Sequence, residues 1–450
     1  MKKHISNSLL EGPIPIQILK FFFPVMLGTF FQQLYNTLDA IVVGRACGKI
    51  ALAAVGGSTS TSIALLSNFI TGLSSGATVI IAQLYGQNDL KSVSRAVNSG
   101  MFLAILSGGI MMVLGIIFSP MLLQMLSVTS DVYPLSLIYM RIFFCGFVPS
   151  MIYNVGSSVL RAMGDSKTPL NCLIICCIVN IVLDILLVGI CKLNVAGAAI
   201  ATIISQTISA ILIYFILFSK YSEFQFSLDF RLVDFSMLAK ICLIGLPMGI
   251  QSIMYSVANL FIQATVNQCG TDTMAAYTAF GKIDAFYWNI DGAFGTAALT
   301  IVGQNYGAGK IDRVKKTVRI SLIMLALTTV FIATIIYFGG PFISLLFTDD
   351  PAVISICMDF IHFLCPCWIF FNYVEILSVS LRACGHSFYP MLITTIFICI
   401  YRIIWLTCYP ANNIIESLYC YPISWVMASI FLAIYYYSGI WHKKDNRIRA

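Results

Sequence analysis

The chain has 450 residues, of which 59% are apolar and 10% are charged, and its mean hydropathy is +0.90. Soluble domains carry about 25% charged residues, so this composition excludes a protein whose main solvent is water. The formal net charge of +7 does not indicate nucleic acid binding, because the basic residues are spread between apolar runs and form no single patch.

Long apolar runs recur along the whole chain, and many approach the ~20 residues that a helix needs to cross a membrane. Lipid offers no hydrogen-bond partner to the backbone, and the ~10-residue alternating segments of a barrel do not occur, so these runs predict helices. In chain order the sequence predicts twelve spans: 16–43, 51–82, 95–122, 133–160, 168–191, 195–219, 237–265, 274–303, 317–346, 352–380, 388–409 and 416–440. We therefore predict an all-α polytopic membrane protein.

The distribution of Lys and Arg predicts the orientation of these spans. If the N-terminus is cytoplasmic, most of the 26 basic residues fall in segments on the cytoplasmic face, including the run from Lys310 to Arg319 before the ninth span. Positively charged loops mark the cytoplasmic side of a membrane protein. The sequence therefore predicts a multi-pass protein of the inner or plasma membrane with both termini in the cytoplasm.

Two motifs recur with the same separation along the chain. Gln83-Leu84-Tyr85-Gly86 returns as Gln304-Asn305-Tyr306-Gly307, and Leu160-Arg161-Ala162 returns as Leu381-Arg382-Ala383. Six spans in each half place both copies in the membrane in the same direction, so the predicted repeat is parallel. We predict an N-terminal six-helix bundle in 1–219, a cytoplasmic linker in 220–240, and a C-terminal six-helix bundle in 241–450.

These motifs carry a family resemblance over the full length of the chain. The proline in the first and seventh spans, the QxYG element that closes the second and eighth, and LRAMGD at the end of the fourth resemble the multidrug and toxic compound extrusion (MATE) transporters. LYNTLDAIVVG and NIVLDILLVG in the first and fifth spans resemble the DinF-like branch. The resemblance implies two six-helix bundles arranged in a V around a central cavity.

Acidic residues inside apolar spans are the sharpest candidates for a functional site, because each costs about 2.5–3.5 kcal/mol at the middle of a membrane helix. Asp39 and Asp184 both lie roughly 5–8 residues from the predicted outer ends of their spans, which places them at a similar depth. Asn180 lies one turn before Asp184 and shares its helix face. The spacing indicates depth and facing, and it leaves open whether the two acids meet.

The resemblance to the DinF-like branch implies that these side chains converge on a cation site in the N-terminal bundle. The other positions that match its pattern are Tyr35, Tyr139, Asn154 and Thr202. The coupling ion would be H⁺ or Na⁺, with Na⁺ held by Asp39, Asn180 and Asp184, and we expect no other metal and no cofactor. Pro24, inside the first span, is a candidate hinge.

The second half carries a different set of intramembrane acids, namely Asp284, Asp291 and Glu375. By the repeat alignment Asp39 falls near Asn259, so the second bundle lacks a corresponding acid in its first span. We therefore expect these three acids to face the cavity and attract a cationic substrate. Packing between helices is the alternative role for them.

The sequence predicts a secondary antiporter that exports cationic or amphipathic organic compounds in exchange for H⁺ or Na⁺. Its expected partners are such small molecules and membrane lipids, with no nucleic acid, and we expect a monomer. A lipid-linked sugar flippase and an exporter of one dedicated metabolite are the nearest alternatives. An intramembrane enzyme is disfavoured because the sequence has no HExxH and no histidine cluster.

Overall fold

A computed structural model describes residues 9–126, 128–220, 233–408 and 413–442. Within these ranges the secondary structure is helical, as the apolar runs predicted. The helices are α1 Ile14–Cys47, α2 Lys49–Gly86, α3 Leu90–Met125, α4 Tyr133–Cys145 with Phe147–Ala162, α5 Lys167–Ile190, α6 Asn194–Lys220, α7 Phe235–Gln268, α8 Thr271–Gly307, α9 Ile311–Ser344, α10 Pro351–Ala383, α11 Phe388–Cys408 and α12 Ile414–Tyr437. Every predicted span overlaps one of these helices.

Length and apolar composition identify most of these helices as membrane spans. Among the described residues ten helices pass this test, and the two halves of α4, which meet at a bend of 47°, add an eleventh. The long helix α8 completes the twelve, since its 37 residues are more than sufficient to cross a membrane. Its lower hydropathy follows from polar side chains such as Asp284 and Asp291 in its middle.

The described residues form two compact units. One, called here the N-unit, is Phe23–Gly249. The other, the C-unit, contains the described residues up to Phe22 and those from Ile250 onward. The predicted bundles are 1–219 and 241–450. In the structure the start of α1, up to Phe22, belongs to the C-unit, and the start of α7, up to Gly249, belongs to the N-unit. Most of the predicted linker, 221–232, lies outside the described residues, as do the first and last eight residues used to predict the orientation.

The same helix pairs pack together in both units. In the N-unit α4 packs on α2, α3 and α6, and α5 packs on α6. In the C-unit α10 packs on α8, α9 and α12, and α11 packs on α12. Adding six to each N-unit helix number reproduces the C-unit pairs, so the predicted internal repeat is confirmed by packing.

The backbone repeats with the same separation as the two motifs. Gly164 and Gly385 have φ of 92° and 91°, and Asn88 and Gly309 have φ of 58° and 74°. The members of each pair are equivalent positions of the repeat, and both pairs occupy the left-handed region that follows the end of a helix. The amide of Asp165 also bonds to Leu160 O at 2.9 Å. Its counterpart in the second repeat is the bond from His386 to Leu381 O at 3.0 Å.

Candidate functional site

Two carboxylates from different helices meet inside the N-unit. Asp39 lies in the second half of α1, and Asp184 lies in α5 just before a segment of wider π-helical turns at Ile185–Ile190. Their exposed fractions are 5% and 1%. The two carboxyl groups are neighbours, within the range at which one donates a hydrogen bond to the other when either is protonated. Such π-helical segments often occur at functional sites.

Several polar atoms of this pair have no partner within the described part of the chain. They are Asp39 Oδ1, both carboxylate oxygens of Asp184, and both amide atoms of Asn180, which is 1% exposed. A buried polar atom without a partner costs roughly 1–3 kcal/mol, and more when it is charged. Each such atom requires an explanation, which a bound cation, a shared proton or an ordered water can provide.

Three further predicted residues surround the carboxylates. The Thr202 side chain lies within hydrogen-bonding reach of Asp39, and its hydroxyl donates to Ala198 O at 3.0 Å. Tyr139 is 5% exposed and lies near both acids and near Tyr35. The cluster (Asp39, Asp184, Asn180, Thr202, Tyr35, Tyr139) is called the acid-pair site below.

The sequence interpretation missed one neighbour of this site. Gln206, one turn after Thr202 on α6, hydrogen bonds to the Tyr35 side chain. Its position one turn from Thr202 was the available signal, because such residues share a helix face. Gln206 therefore belongs with the polar groups that orient the tyrosines around the acids.

A shell of small apolar side chains packs around the acid-pair site. Val43 on α1, Val188 on α5 and Ala198 on α6 are fully buried or nearly so, and Tyr139 packs in the same cluster. Water is thereby excluded from one side of the carboxylates. In such a low-dielectric setting a charge interacts strongly with its neighbours and is costly when unpaired.

Two predicted residues have other surroundings. The Asn154 side chain is partly buried, and its Nδ2 donates to Ser150 O of its own helix at 2.9 Å. The described contacts do not place Asn154 against the two acids. Pro24 is buried inside α1, next to the boundary of the N-unit at Phe23, and α1 continues through it as one helix. Its role as a hinge stays a prediction.

The acids of the second half lie inside the C-unit. The Asp284 carboxylate accepts indole N–H bonds from Trp288 at 2.7 Å and from Trp368 at 3.1 Å. Asp291 is 2% exposed, lies near Glu375, and has a buried Oδ1 without a partner among the described residues. That Asp284, Asp291 and Glu375 attract a substrate stays a prediction. The Asp284 carboxylate already accepts two hydrogen bonds within the C-unit.

The Glu375 carboxylate depends on a glycine of the neighbouring helix. One of its oxygens occupies the space that a side chain at Gly295 of α8 would fill. Arg382 lies two turns further along α10, within electrostatic range of Glu375. A cation near the carboxylate lowers the cost of burying both charges.

The candidate residues predicted from the sequence are acids and uncharged polar groups, and they do not include Arg402 on α11. This arginine is 3% exposed, and its Nε donates to Ser424 Oγ at 3.2 Å. Its guanidinium carbon lies 4.1 Å from the centre of the Tyr421 ring, a cation–π distance. The signal was available, because a charged residue inside a membrane span marks a functional candidate whatever its sign.

Within the described ranges no group of three or more His, Cys, Asp or Glu side chains could hold a metal ion. The acid-pair site offers two carboxylates, an amide and hydroxyl groups, which are oxygen ligands suited to a proton or an alkali or other hard cation.

The repeated six-helix architecture, with ionisable side chains buried inside its spans, defines a polytopic membrane transporter. The MatE family model matches residues 24–186 and again 247–406, one copy in each repeat. The chain belongs to this family of multidrug and toxic compound extrusion transporters.

Similar proteins agree with this assignment. The chain is 28% identical over 382 residues to a probable multidrug resistance protein, YpnP, of Bacillus subtilis, covering 83% of this chain and 84% of the relative. It is 25% identical over 369 residues to an FAD transporter of Shewanella oneidensis, covering 80% of each. A solved outward-facing multidrug resistance MATE transporter shares the fold, with a TM-score of 0.89, 20% identity, and coverage of 99% of this chain and 100% of the other.

Proposed function

We propose that this protein is a secondary antiporter that exports cationic or amphipathic organic compounds in exchange for H⁺ or Na⁺, with the acid-pair site as the coupling site. The observation that carries the proposal is the meeting of Asp39 and Asp184, two buried carboxylates from different helices, with oxygens that lack partners among the described residues. Under this proposal the coupling chemistry belongs to the N-unit.

Electrostatics require a positive charge at this pair. Two unit charges 4 Å apart repel by about 4 kcal/mol at an effective dielectric constant of about 20. Each buried carboxylate also loses its hydration. A proton shared between the acids, or a Na⁺ held by both together with the Asn180 amide oxygen, removes the repulsion and satisfies the unpaired oxygens. The site is therefore suited to exchange a cation with the medium.

Binding and loss of this cation can be coupled to helix movement, because the two acids belong to α1 and α5. When the site is empty, repulsion favours separation of the two helices, and when it is filled, they can close. A bend at Pro24 would let the outer part of α1 follow α5. Each charge that crosses 100 mV supplies ~2.3 kcal/mol, and each pH unit supplies ~1.4 kcal/mol. A membrane potential of 100 mV or a difference of one pH unit can therefore each support a substrate concentration ratio of about tenfold or more.

The proposed substrate class rests on the charges of the C-unit and on the relatives of this chain. Acids in the C-unit favour a cation, and several relatives are described as multidrug resistance proteins. We expect a plasma membrane location with cytoplasmic termini, a monomer, no cofactor beyond the coupling ion, and no catalytic activity. The DinF-like pattern of the first and fifth spans supports placing the coupling site in the N-unit.

The test is gradient-driven export of ethidium, a lipophilic cation, from proteoliposomes. A proton gradient and a Na⁺ gradient are imposed separately on wild type, Asp39→Asn and Asp184→Asn. The matched control is Asp131→Asn, because Asp131 is an exposed acid of the loop before α4. We expect both site variants to fall to the rate measured without a gradient while Asp131→Asn keeps the wild-type rate. Correctly inserted site variants that export at the wild-type rate would disprove the coupling role.

An exporter of one dedicated, anionic metabolite is the second candidate. Buried Arg402 in the C-unit supports it, and so does the relative described as an FAD transporter. Under this alternative ethidium is not exported, but the acid pair still binds the coupling ion. Binding of radioactive Na⁺ to purified protein at several pH values, with the same variants, separates the cases. Loss of Na⁺ or proton binding in Asp184→Asn without any ethidium export would favour the dedicated exporter.

A further inference from the structure

The start of α9 carries cations that the C-unit does not use. Lys315, Lys316 and Arg319 are all exposed and lie within the first three turns of the helix. At 100° per residue they occupy an arc of about 100° on one face. In the described ranges Arg95–Asp234 is the one ion pair within 4.0 Å, so none of these three has a carboxylate partner there. They are called the α9 basic cluster below.

The internal repeat shows that the fold does not require this cluster. The equivalent positions of the first repeat, at the start of α3, are Ser94, Arg95 and Asn98. Arg95 is the only cation of the three, and it pairs with Asp234 Oδ2 at 3.2 Å. Among the described residues the same backbone position therefore has one cation, bound internally, in the first repeat and three cations without a carboxylate partner in the second.

The helix ends differ in the same direction. At the start of α3 the Asp89 carboxylate accepts the Ser92 N–H at 3.1 Å and caps the helix. The corresponding residue before α9 is Lys310, whose side chain makes no capping bond and donates instead to Leu10 O at 3.0 Å. The first repeat thus caps this helix end with a carboxylate, whereas the second has Lys310 at the same position. The first turn of α9 does carry one exposed acid, Asp312, but within the described ranges it makes no ion pair with the cluster within 4.0 Å, and the three cations outnumber it.

We propose that the α9 basic cluster binds the headgroups of anionic phospholipids in the leaflet where α9 begins. The cluster extends about 6 Å along the helix axis from Lys315 to Arg319, which matches a headgroup layer about 5–8 Å thick. Long Lys and Arg stems can pack on apolar surface while their charges reach the phosphates. Charge complementarity selects an anionic headgroup over a zwitterionic one.

The expected strength follows from the number of cations. A basic side chain near an anionic membrane surface contributes a factor of about five in binding at physiological ionic strength. Removing two of the three should therefore weaken binding of an anionic lipid about 30-fold. Because the attraction is electrostatic and exposed to water, it should also decrease as salt is raised.

The experiment measures lipid retention by the purified full-length protein. Native mass spectrometry counts bound phosphatidylglycerol and phosphatidylcholine of the same acyl chains, titrated separately. The variant is Lys315→Gln/Lys316→Gln. The matched control is Lys91→Gln/Lys167→Gln, which removes two exposed lysines from the starts of α3 and α5 at the same end of the helices. Thermal midpoints in the two lipids provide a second measurement.

We expect wild type and the control to retain phosphatidylglycerol preferentially and to melt at a higher temperature in it. The cluster variant should lose this preference while its midpoint in phosphatidylcholine stays unchanged, which shows that it is folded. Equal retention of both lipids by wild type would overturn the proposal. So would an equal loss in the control, because the attraction would then belong to the whole basic face and not to the α9 basic cluster.

Discussion

The crossing of α2 and α7 in the N-unit leaves no room for a side chain. Gly72 and Gly76 of α2 face Gly245 and Gly249 of α7. A Cβ at Gly76 would lie 2.5 Å from the carbonyl oxygen of Ile241 and 2.8 Å from Gly245 Cα. Both are backbone atoms, so no rotamer change can relieve the clash. We predict that Gly76→Ala forces the two helices apart and destabilises the N-unit.

The magnitude follows from the size of the required movement. Ordinary contacts begin at about 3.4 Å, so the helices must separate by roughly 1 Å at this point. Overpacking of this kind costs typically 1–3 kcal/mol. Alanine recovers up to ~1 kcal/mol because it favours the helix more than glycine does. The net destabilisation should be roughly 1–2 kcal/mol.

The assay must report on the N-unit itself. All five tryptophans lie in the C-unit, so intrinsic fluorescence follows the other half of the chain. Cys172, Cys176 and Cys177 of α5 are buried in the N-unit. Because the C-unit also has buried cysteines, such as Cys357 and Cys365, labelling by a thiol-reactive dye is quantified by mass spectrometry on the α5 peptide alone. Gly76→Ala should therefore lower the midpoint of dye labelling below that of wild type.

Gly109→Ala is the control, because a Cβ at Gly109 of α3 meets no atom within 4 Å. This variant makes the same substitution in the same unit and should be neutral or slightly stabilised. Gly72→Ala/Gly76→Ala should cost less than the sum of its parts, because one separation of the helices serves both methyl groups. If Gly76→Ala melts together with Gly109→Ala, the reasoning from this close approach is wrong.

Two further outcomes test individual hydrogen bonds. Asp89→Ala should destabilise the start of α3 by about 1 kcal/mol. Hydrogen bonds from Ser92 lower the pKa of the Asp89 carboxyl, so this stabilisation is present above pH ~4 and is lost as the pH falls through the lowered value. The difference between the melting temperatures of wild type and variant should shrink in acid, and a constant difference would contradict this. Trp368→Phe removes an indole bond to Asp284 and should destabilise by about 1.5–3 kcal/mol. If Trp368→Phe lowers the melting temperature no more than Trp405→Phe does, the predicted contribution of the hydrogen bond to Asp284 is wrong.

Hydropathy and helix length are sufficient to predict the fold, because a membrane span depends on composition more than on exact side-chain shape. The predicted spans differ from the helices mainly at their ends and at breaks such as Gly146, where α4 bends by 47°. The assignment of Phe22 and Gly249 to opposite units was not predictable, since it depends on contacts far apart in the chain. Apolar runs contain no information on such contacts.

The sequence predicted the depth of the two acids along their helices, but it did not predict every residue that surrounds them. Counting residues from the helix ends placed Asp39 and Asp184 at similar depth, and the structure brings them together. Whether two helices turn these faces toward each other depends on packing, which periodicity alone does not determine. The same limit explains why Gln206 was missed and why Asn154, on a matching position, bonds to its own helix instead.

The repeat conserves backbone geometry while its side-chain chemistry differs, and this asymmetry bears on where coupling occurs. Gly164 and Gly385 share one conformation, yet the same alignment of the two repeats pairs Asp184 with Trp405. Near that position the C-unit carries Arg402, a buried cation that is covalently fixed to the chain. A fixed cation cannot be exchanged with the medium, whereas a carboxylate pair must acquire one. Under the proposed function the exchangeable positive charge belongs to the acid-pair site, whereas the acids of the C-unit have fixed cations nearby, with Arg382 near Glu375 and Arg402 near Asp284. This difference is the physical reason for proposing ion coupling in the N-unit.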